Sequence, residues 1–186
     1  MAGRRKTDPR KLTAYHEAGH AVAAFDQGVR IHGISIASDQ VSRGHIGIDT
    51  LHLDRHVSSF REDRGSRNRF LMERHVLVLL AGKAAARRLD PSFRKRRADT
   101  PEEGSDYGTA RCLIGYFAGS DREAEKYREW LETRVEGILS APWRWHQVKK
   151  LAQALLEEEK MGAKRVREVI RDAGQDWYDG HLTGKE

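Results

Sequence analysis

The fold of this chain depends on one stretch of its sequence, Thr13-Ala14-Tyr15-His16-Glu17-Ala18-Gly19-His20-Ala21-Val22. Upstream, Asp8 followed by Pro9 is typical of a helix start, because the carboxylate can accept a free backbone amide and proline suits the first turn. Downstream, Gly28 suits the left-handed position after a last helical turn. We therefore predict a helix that begins at Pro9, contains the whole stretch and ends at Gln27.

Two histidines in this helix have the spacing of metal ligands. His16 and His20 are four residues apart, so their imidazoles share one face and can bind a single zinc ion at about 2.0–2.1 Å. Glu17 lies beside that face, where a carboxylate can take a proton from an attacking water and pass it to a leaving amine. The alternative is that both histidines are core residues hydrogen-bonded to the backbone. We predict zinc ligands at His16 and His20 and a general base at Glu17.

A catalytic zinc ion normally has three protein ligands, so a third must come from elsewhere in the chain. Asp106 is the most suggestive candidate, because it interrupts an otherwise apolar helical face and a buried carboxylate needs a compensating cation. An ordinary first-turn aspartate, stabilised by the helix dipole, is the alternative. The other candidate carboxylates are Glu73, Asp99, Glu102 and Glu103. The remaining histidines lack metal spacing and are interpreted as surface or loop residues: His32, His45, His52, His56, His75, His146 and His181.

Hydropathy patterns place a small sheet between two helical regions. Residues 29–37 and 45–53 alternate apolar and polar side chains, which favours two strands of a largely antiparallel sheet. Residues 66–88 return to helical spacing. The residues predicted on one side of that helix are Phe70, Val76, Leu77, Leu80 and Ala81.

The C-terminal part of the chain is predicted to be helical. The start signals of three helices are, in order, Thr100 before Pro101 and Glu103, Ser120 with Glu123, and Pro142. A last short helix is predicted over residues 164–171. We expect a flexible basic tail over residues 1–7, a single domain over residues 8–172 and a C-terminal tail over residues 173–186.

The composition limits the class of protein. A chain of 186 residues is long enough for one domain with a hydrophobic core. Cys112 is the only cysteine, which excludes an intramolecular disulfide and a thiolate zinc site and is typical of a reducing compartment. No signal peptide is recognisable, and no apolar run approaches the ~20 residues that span a bilayer. We expect a cytoplasmic protein without a membrane span.

The net charge of +6 raises the question of an acidic partner. Basic clusters occur at residues 4–6, 87–88 and 94–97. No aromatic residues alternate with them and no nucleic-acid-binding module is recognisable, so the pattern disfavours nucleic-acid binding. The alternatives to an enzyme are a catalytically inactive zinc-binding interaction module and a basic nucleic-acid-associated regulator.

The stretch from Thr13 to Val22 resembles the zinc helix of the FtsH-type, membrane-associated ATP-dependent metalloproteases. Gly104-Ser105-Asp106 followed by Ala110-Arg111 is similar to the segment that carries the aspartate zinc ligand in that family. The resemblance therefore makes Asp106 the preferred third ligand. Further similar segments are Ile34-Ser35-Ile36 with residues 44–48 (paired strands), residues 79–85 (a small-residue helix) and residues 151–159 (a late helix).

The resemblance implies a mainly α, zincin-like helical domain, with a small β-hairpin or short sheet after the HExxH helix and a C-terminal helical unit. It implies a zinc-dependent endopeptidase that uses Zn²⁺ to hydrolyse peptide bonds of unfolded or loosely structured proteins. By analogy with other zinc peptidases, an extended substrate is expected to add to the edge of the strand at residues 45–48.

The chain departs from the family pattern in two respects. Ala86 and Arg87 stand where the family continues its small-residue helix with two acidic residues. The chain also has no G-x-x-x-x-G-K-[ST] phosphate loop, ATPase module or membrane anchor. Two arrangements are therefore open, a stand-alone peptidase and a peptidase portion that works with a separate ATPase partner. The resemblance also implies a homo-oligomer as one form of assembly.

Overall fold

The computed structural model describes residues 7–37, 45–48, 66–95 and 105–182. Over these ranges the chain is mainly helical with a small antiparallel sheet, which confirms the predicted fold class. The helices are α1 (Pro9–Gln27), α2 (Ser66–Leu89), α3 (Asp106–Gly115), α4 (Asp121–Ser140), α5 (Pro142–Glu158) and α6 (Ala163–Leu182). The strands are β1 (Ile31–Ser35), β2 (His45–Ile48) and β3 (Lys160–Gly162), and a 3-10 helix covers Pro91–Lys95.

Helix α1 begins and ends where its sequence predicts. The Asp8 carboxylate accepts a hydrogen bond from the backbone N–H of Arg10 at 3.0 Å, and proline occupies the first turn. Gly28 follows the helix in the left-handed conformation, with φ 63°, and its N–H donates to the Phe25 carbonyl at 3.3 Å. These caps fix the ends of a helix whose fully buried residues are small: Ala14, Ala18, Ala21, Val22 and Ala24.

Helix α2 packs along α1, and small residues let the two backbones come close together. A Cβ atom added at Gly19 would lie 2.6 Å from the Ala85 Cβ and 2.7 Å from the Ala81 carbonyl oxygen. Four of the five residues predicted on one side of α2 are buried, namely Val76, Leu77, Leu80 and Ala81. The two helices therefore meet directly at the turn of α1 that carries the histidines.

Phe70, the fifth residue predicted on that side of α2, is not buried with the others. Its ring is 58% exposed, and the guanidinium carbon of Arg74 lies 5.8 Å from the ring centroid. Helical spacing gives the direction of a side chain, but it does not say whether a neighbouring element reaches the first turns of the helix. The burial of α2 is concentrated in its later turns.

A three-stranded sheet follows α1, in the order β2-β1-β3. Ile34 of β1 lies opposite Ile46 of β2 on one side and opposite Met161 of β3 on the other, and both pairings are antiparallel. The first pairing confirms the predicted sheet, although residues 49–53 of the second predicted strand lie outside the described residues. We did not predict β3, because three residues between two helices are too few to show an alternating pattern.

Two of the predicted helix starts are confirmed. The Ser120 hydroxyl accepts a hydrogen bond from the Glu123 N–H at 3.2 Å, and Pro142 occupies the first turn of α5. The predicted cap at Thr100 lies outside the described residues. The helix that it was expected to start begins later, at Asp106.

Helix α6 is longer than the short helix predicted over residues 164–171, and residues 173–182 of the expected C-terminal tail are helical. Gly174 and the polar residues after it obscure the helical pattern in the sequence. In the structure Gly174 lies against the side chain of Gln147, whose amide donates to the Ile170 carbonyl at 2.9 Å. This buried hydrogen bond joins α5 to α6 at the position where the sequence suggests a break.

In the ranges that the structure describes, no helix combines the length and the apolar character that crossing a membrane requires.

We predict that Gly28→Ala destabilises the protein by about 1–2 kcal/mol, because an L-residue is strained in this left-handed conformation. Gly137→Ala is the matched control: it is an exposed helical glycine of α4, and an added Cβ meets nothing within 4 Å. There the substitution should stabilise the protein by about 0.5–1 kcal/mol. Chemical denaturation measures both free energies of unfolding, and equal effects at the two sites would contradict the role of Gly28 as a cap.

Candidate metal centre

Side chains from two helices meet at one point. The Nε2 atoms of His16 and His20, both on α1, are 3.0 Å apart. Asp106 is the first residue of α3, and its Oδ2 atom lies 3.2 Å from His16 Nε2 and 3.1 Å from His20 Nε2. The structure thus brings together the three residues that the sequence and the family resemblance single out as candidate ligands.

The local structure positions each of these donors. The helical repeat places the His16 and His20 rings edge to face, with centroids 4.6 Å apart. Ser105 caps α3, because its hydroxyl accepts a hydrogen bond from the Gly108 N–H at 3.0 Å, and this cap holds Asp106 in the first turn. Helix α2 packs against both α1 and α3. It is therefore the common support of the helices that carry the donors.

The backbone of α2 also sets the tautomer of His20. The Nδ1 atom of His20 lies 2.7 Å from the Val78 carbonyl oxygen. A carbonyl oxygen can only accept, so Nδ1 carries the proton, and Nε2 of the neutral ring carries a lone pair. That lone pair faces His16 and Asp106, which is the orientation that a metal ligand needs. The core-histidine alternative therefore accounts for the hydrogen bond at Nδ1 of His20, but not for the orientation of its Nε2.

The donor set fits a zinc ion. Two imidazole nitrogens and a carboxylate oxygen are typical zinc ligands, and in a tetrahedral site with bonds of about 2.0–2.1 Å such atoms are roughly 3.3 Å apart. The three observed separations, 3.0 to 3.2 Å, are close to this value. At these distances a divalent cation offsets the repulsion between lone pairs and the carboxylate charge.

The electrostatics of the group favour a positive charge. Burial lowers the pKa of the His20 imidazole, but the hydrogen bond to Asp106 and the charge of that carboxylate raise it. The charge of Glu17 and the Val78 carbonyl act in the same direction, and the net pKa is about 9. Burial raises the pKa of Asp106, but its hydrogen bonds to the two imidazoles hold it well below its usual range. Protons and a metal ion therefore compete for the same ring nitrogen.

One side of the group is open to solvent. The side chain of His20 is 3% exposed, whereas those of His16 and Asp106 are 29% and 45% exposed. Glu17 follows His16 in the chain and is only 5% exposed. A buried carboxylate thus neighbours a group that is partly open to solvent.

Glu73 is not part of this group. Its carboxylate accepts hydrogen bonds from the Arg69 guanidinium, at 3.0 Å, and from the Tyr127 hydroxyl of α4. These contacts agree with the interpretation of Glu73 as the edge of an amphipathic helix. The other candidate carboxylates lie outside the described residues: Asp99, Glu102 and Glu103.

The interpretation of the remaining histidines holds only in part. His32 and His181 are exposed, as predicted, and His146 is half-buried. The prediction for His75 is wrong, because it is only 7% exposed and its Nδ1 lies 2.9 Å from the Leu71 carbonyl oxygen. Its neighbours in α2, Val76 and Leu77, are buried as well, and the backbone one turn earlier bonds one ring nitrogen. The side chains outside the description are those of His45, His52 and His56.

Sequence reasoning missed two contributions of α2 to the site, the Val78 carbonyl and Gly82. A Cβ atom added at Gly82 would lie 2.3 Å from His20 Nε2. The run of small residues from Ala81 to Ala85 is a signal for close helix packing, but it does not say which side chain the helix contacts. A backbone acceptor such as the Val78 carbonyl has no signature in the sequence.

The departures from the family pattern have a structural setting. Ala86 is fully buried, so a methyl group packs in the core where the family pattern has an acidic residue. In the basic pair at residues 87–88, the Arg88 guanidinium donates to the Leu139 carbonyl and lies 4.4 Å from the Trp145 ring centroid. These contacts join the exposed Arg88 to α4 and α5, whereas Arg87, the second departure, is half-buried.

Comparison with protein-family models finds no match for this chain. Two curated relatives are each named ATP-dependent zinc metalloprotease FtsH. The protein from Caldicellulosiruptor bescii is 25% identical over 201 residues, which cover 89% of this chain and 31% of the relative. The protein from Syntrophotalea carbinolica is 25% identical over 205 residues, covering 91% of this chain and 30% of the relative. The chain is similar to a region of FtsH. It spans about a third of the length of these relatives.

We predict that Asp106→Ala weakens zinc binding by more than about 100-fold, since losing a ligand should exceed the roughly 10–100-fold effect of losing a supporting residue. Asp121→Ala is the matched control, because Asp121 is an exposed aspartate that is likewise the first residue of its helix, α4, and lies outside the group. It should bind zinc like the parent. Competition with a chromophoric chelator measures both affinities. Equal zinc affinity of the parent and Asp106→Ala would remove Asp106 from the ligand set.

Proposed function

We propose that this protein is a zinc-dependent endopeptidase, with His16, His20 and Asp106 as zinc ligands and Glu17 as general base. The observation that carries the proposal is the convergence of two imidazole nitrogens and one carboxylate oxygen within 3.2 Å of one another. The similarity to a region of two zinc metalloproteases supports the same class of reaction.

The composition of the group favours a catalytic zinc site over a structural one. A structural zinc ion normally has four protein ligands, whereas a catalytic one has three and an open position. The group found among the described residues has three members, and the partly exposed side chains of His16 and Asp106 lie on its open side. Three ligands beside an open position are what the endopeptidase proposal requires.

The chain's own residues supply the remaining chemistry. A zinc ion held by these ligands would supply Lewis-acid activation of water and of the scissile carbonyl group. A carboxylate oxygen of Glu17 accepts the proton of the attacking water and later delivers it to the departing amine nitrogen. Because Glu17 is buried beside His20, its carboxylate is kept from the bulk solvent that would compete for this proton.

We predict that Glu17→Gln retains zinc at the parental stoichiometry and loses about 10²–10⁴-fold in the cleavage rate of an unfolded protein. The amide has a similar shape but cannot accept the proton. Reduced and alkylated casein with a fluorescent label serves as the substrate, and zinc is measured by mass spectrometry.

Glu157→Gln is the control for this experiment. Glu157 is an exposed residue of α5, and its carboxylate accepts a hydrogen bond from the Gln153 amide at 2.8 Å. It should cleave like the parent. If the parent binds zinc and cleaves neither unfolded nor folded proteins, the endopeptidase proposal is wrong and a zinc-binding module gains support.

We also propose that the substrate is an unfolded or loosely structured protein, bound as an extended chain along β2. In the described part of the sheet β2 lies at one edge and β3 at the other. An edge strand presents backbone groups that pair with any extended segment, so recognition depends little on the substrate's sequence. In the chain, β1 follows α1 and β2 follows β1, and β1 pairs with β2.

We predict that substrate binding slows amide hydrogen exchange in β2. The experiment uses Glu17→Gln saturated with the labelled casein, so that binding occurs without cleavage. Protection should increase at residues 45–48 and stay unchanged at residues 160–162 of β3, the opposite edge. Protection at β3 alone, or at neither strand, would rule out β2 as the substrate site.

The proposal extends to the assembly in which this region works. The two relatives are named ATP-dependent, and this chain corresponds to about a third of their length. We propose that it acts either alone or with a separate ATPase partner, and that it can form a homo-oligomer. Acting alone, it would reach only chains that are already unfolded or loosely structured.

A further inference from the structure

One face of α2 supports the His20 imidazole at two points. The Val78 carbonyl oxygen accepts the hydrogen bond from Nδ1 at 2.7 Å. Gly82 is one turn later on the same face and lies against the other end of the ring. A Cβ atom added there would be 2.3 Å from Nε2 and 2.7 Å from both Cδ2 and Cε1. The Val78 carbonyl and Gly82 therefore both contact the His20 ring.

These distances define how an added carbon would meet the ring. Its distances to Cδ2 and Cε1 are equal and only slightly longer than its distance to Nε2, so it would lie over the ring face at Nε2. Real Cβ atoms essentially never come within 3.0 Å of another heavy atom, so either the ring or the helix must shift. The ring has little room to do so, because its side chain is 3% exposed and Val78 holds its far end.

We propose that Gly82 is a positioning residue for the metal ligand His20. Because it has no Cβ, the ring can lie flat against α2 with Nε2 directed at His16 and Asp106. This inference rests on the proposed metal site, and it adds to that site a residue that neither the HExxH motif nor the aspartate ligand includes. A methyl group at position 82 displaces Nε2 from the other two donors.

Gly19 has a different role in the same contact. An added Cβ at Gly19 meets Ala85 and the Ala81 backbone rather than the imidazole. Gly19 therefore sets the distance between α1 and α2, whereas Gly82 sets the position of the ring within that space. A side chain added at Gly19 would therefore conflict with α2 itself, whereas one added at Gly82 would conflict with the His20 ring.

The first test measures metal binding rather than activity. Gly82→Ala should bind Zn²⁺ about 10–100-fold more weakly than the parent in a chelator competition. Its Co²⁺ complex should show a changed visible absorption spectrum, because the coordination geometry reports the position of His20. Gly137→Ala is the control for a helical glycine in open space and should match the parent in both measurements. Parental zinc affinity and an unchanged cobalt spectrum in Gly82→Ala would overturn the inference.

The second test is a double-mutant cycle in the metal-free protein, and it applies even if Gly82→Ala is too unstable to bind metal. Gly82→Ala is made in the parent and in a His20→Ala background, and chemical denaturation gives the free energy of unfolding of each. If the new methyl group conflicts with the imidazole, the substitution destabilises the parent and has a much smaller effect when the ring is absent. An equal effect in both backgrounds, or failure of both Gly82→Ala proteins to fold, would place the conflict elsewhere and overturn the inference.

The two tests separate this inference from the proposed function. If the parent binds no zinc, the proposed function fails, and the cycle still tests the contact between Gly82 and His20. If the parent binds zinc and Gly82→Ala binds it equally well, the metal site stands and the role of Gly82 is wrong.

Discussion

The close contact between α1 and α2 is the constraint on which the rest of the structure depends. At this contact a glycine of α1 meets alanines of α2, and a glycine of α2 meets an imidazole of α1. Backbone atoms and methyl groups have no rotamers to adjust, so the distance between the helices is fixed by hard contacts. A buried imidazole also loses its hydrogen bonds to water, and the Val78 carbonyl replaces one of them. The His20 ring is therefore held both by close packing and by a hydrogen bond to the backbone.

The other helices keep this contact in place. The Tyr127 hydroxyl of α4 donates to Glu73 on α2, and the Arg88 guanidinium of α2 donates to a carbonyl of α4. Arg144 of α5 forms an ion pair with Asp26 near the end of α1. The C-terminal helices thus contact α2 near both of its ends and α1 near its last turn. Such support is what allows donors on two separate helices to keep a fixed geometry.

The fold could be predicted well where local chemistry decides it. Asp8, Pro9 and Gly28 determine the ends of α1 through their own backbone preferences, and the i, i+4 spacing places two imidazoles on one face. The sequence alone could not decide features that depend on distant neighbours. β3 exists because β1 offers a free edge, and α6 continues through Gly174 because a side chain of α5 packs there. In each case the partner is remote in the chain.

The site shows the same division. The HExxH spacing is local and is sufficient to propose His16, Glu17 and His20. Asp106 is distant in sequence, so its place on an apolar helical face makes it only the most suggestive candidate, and the family resemblance makes it the preferred one. Its ordinary explanation, a first-turn aspartate stabilised by the helix dipole, does not compete with its proposed role. The positive end of α3 favours the ionised carboxylate, as do the hydrogen bonds from the two imidazoles, and an ionised carboxylate is the form that binds zinc. The helix start that gives Asp106 an ordinary explanation therefore also suits it electrostatically to its proposed role, and packing of α3 on α2 brings it to the two imidazoles.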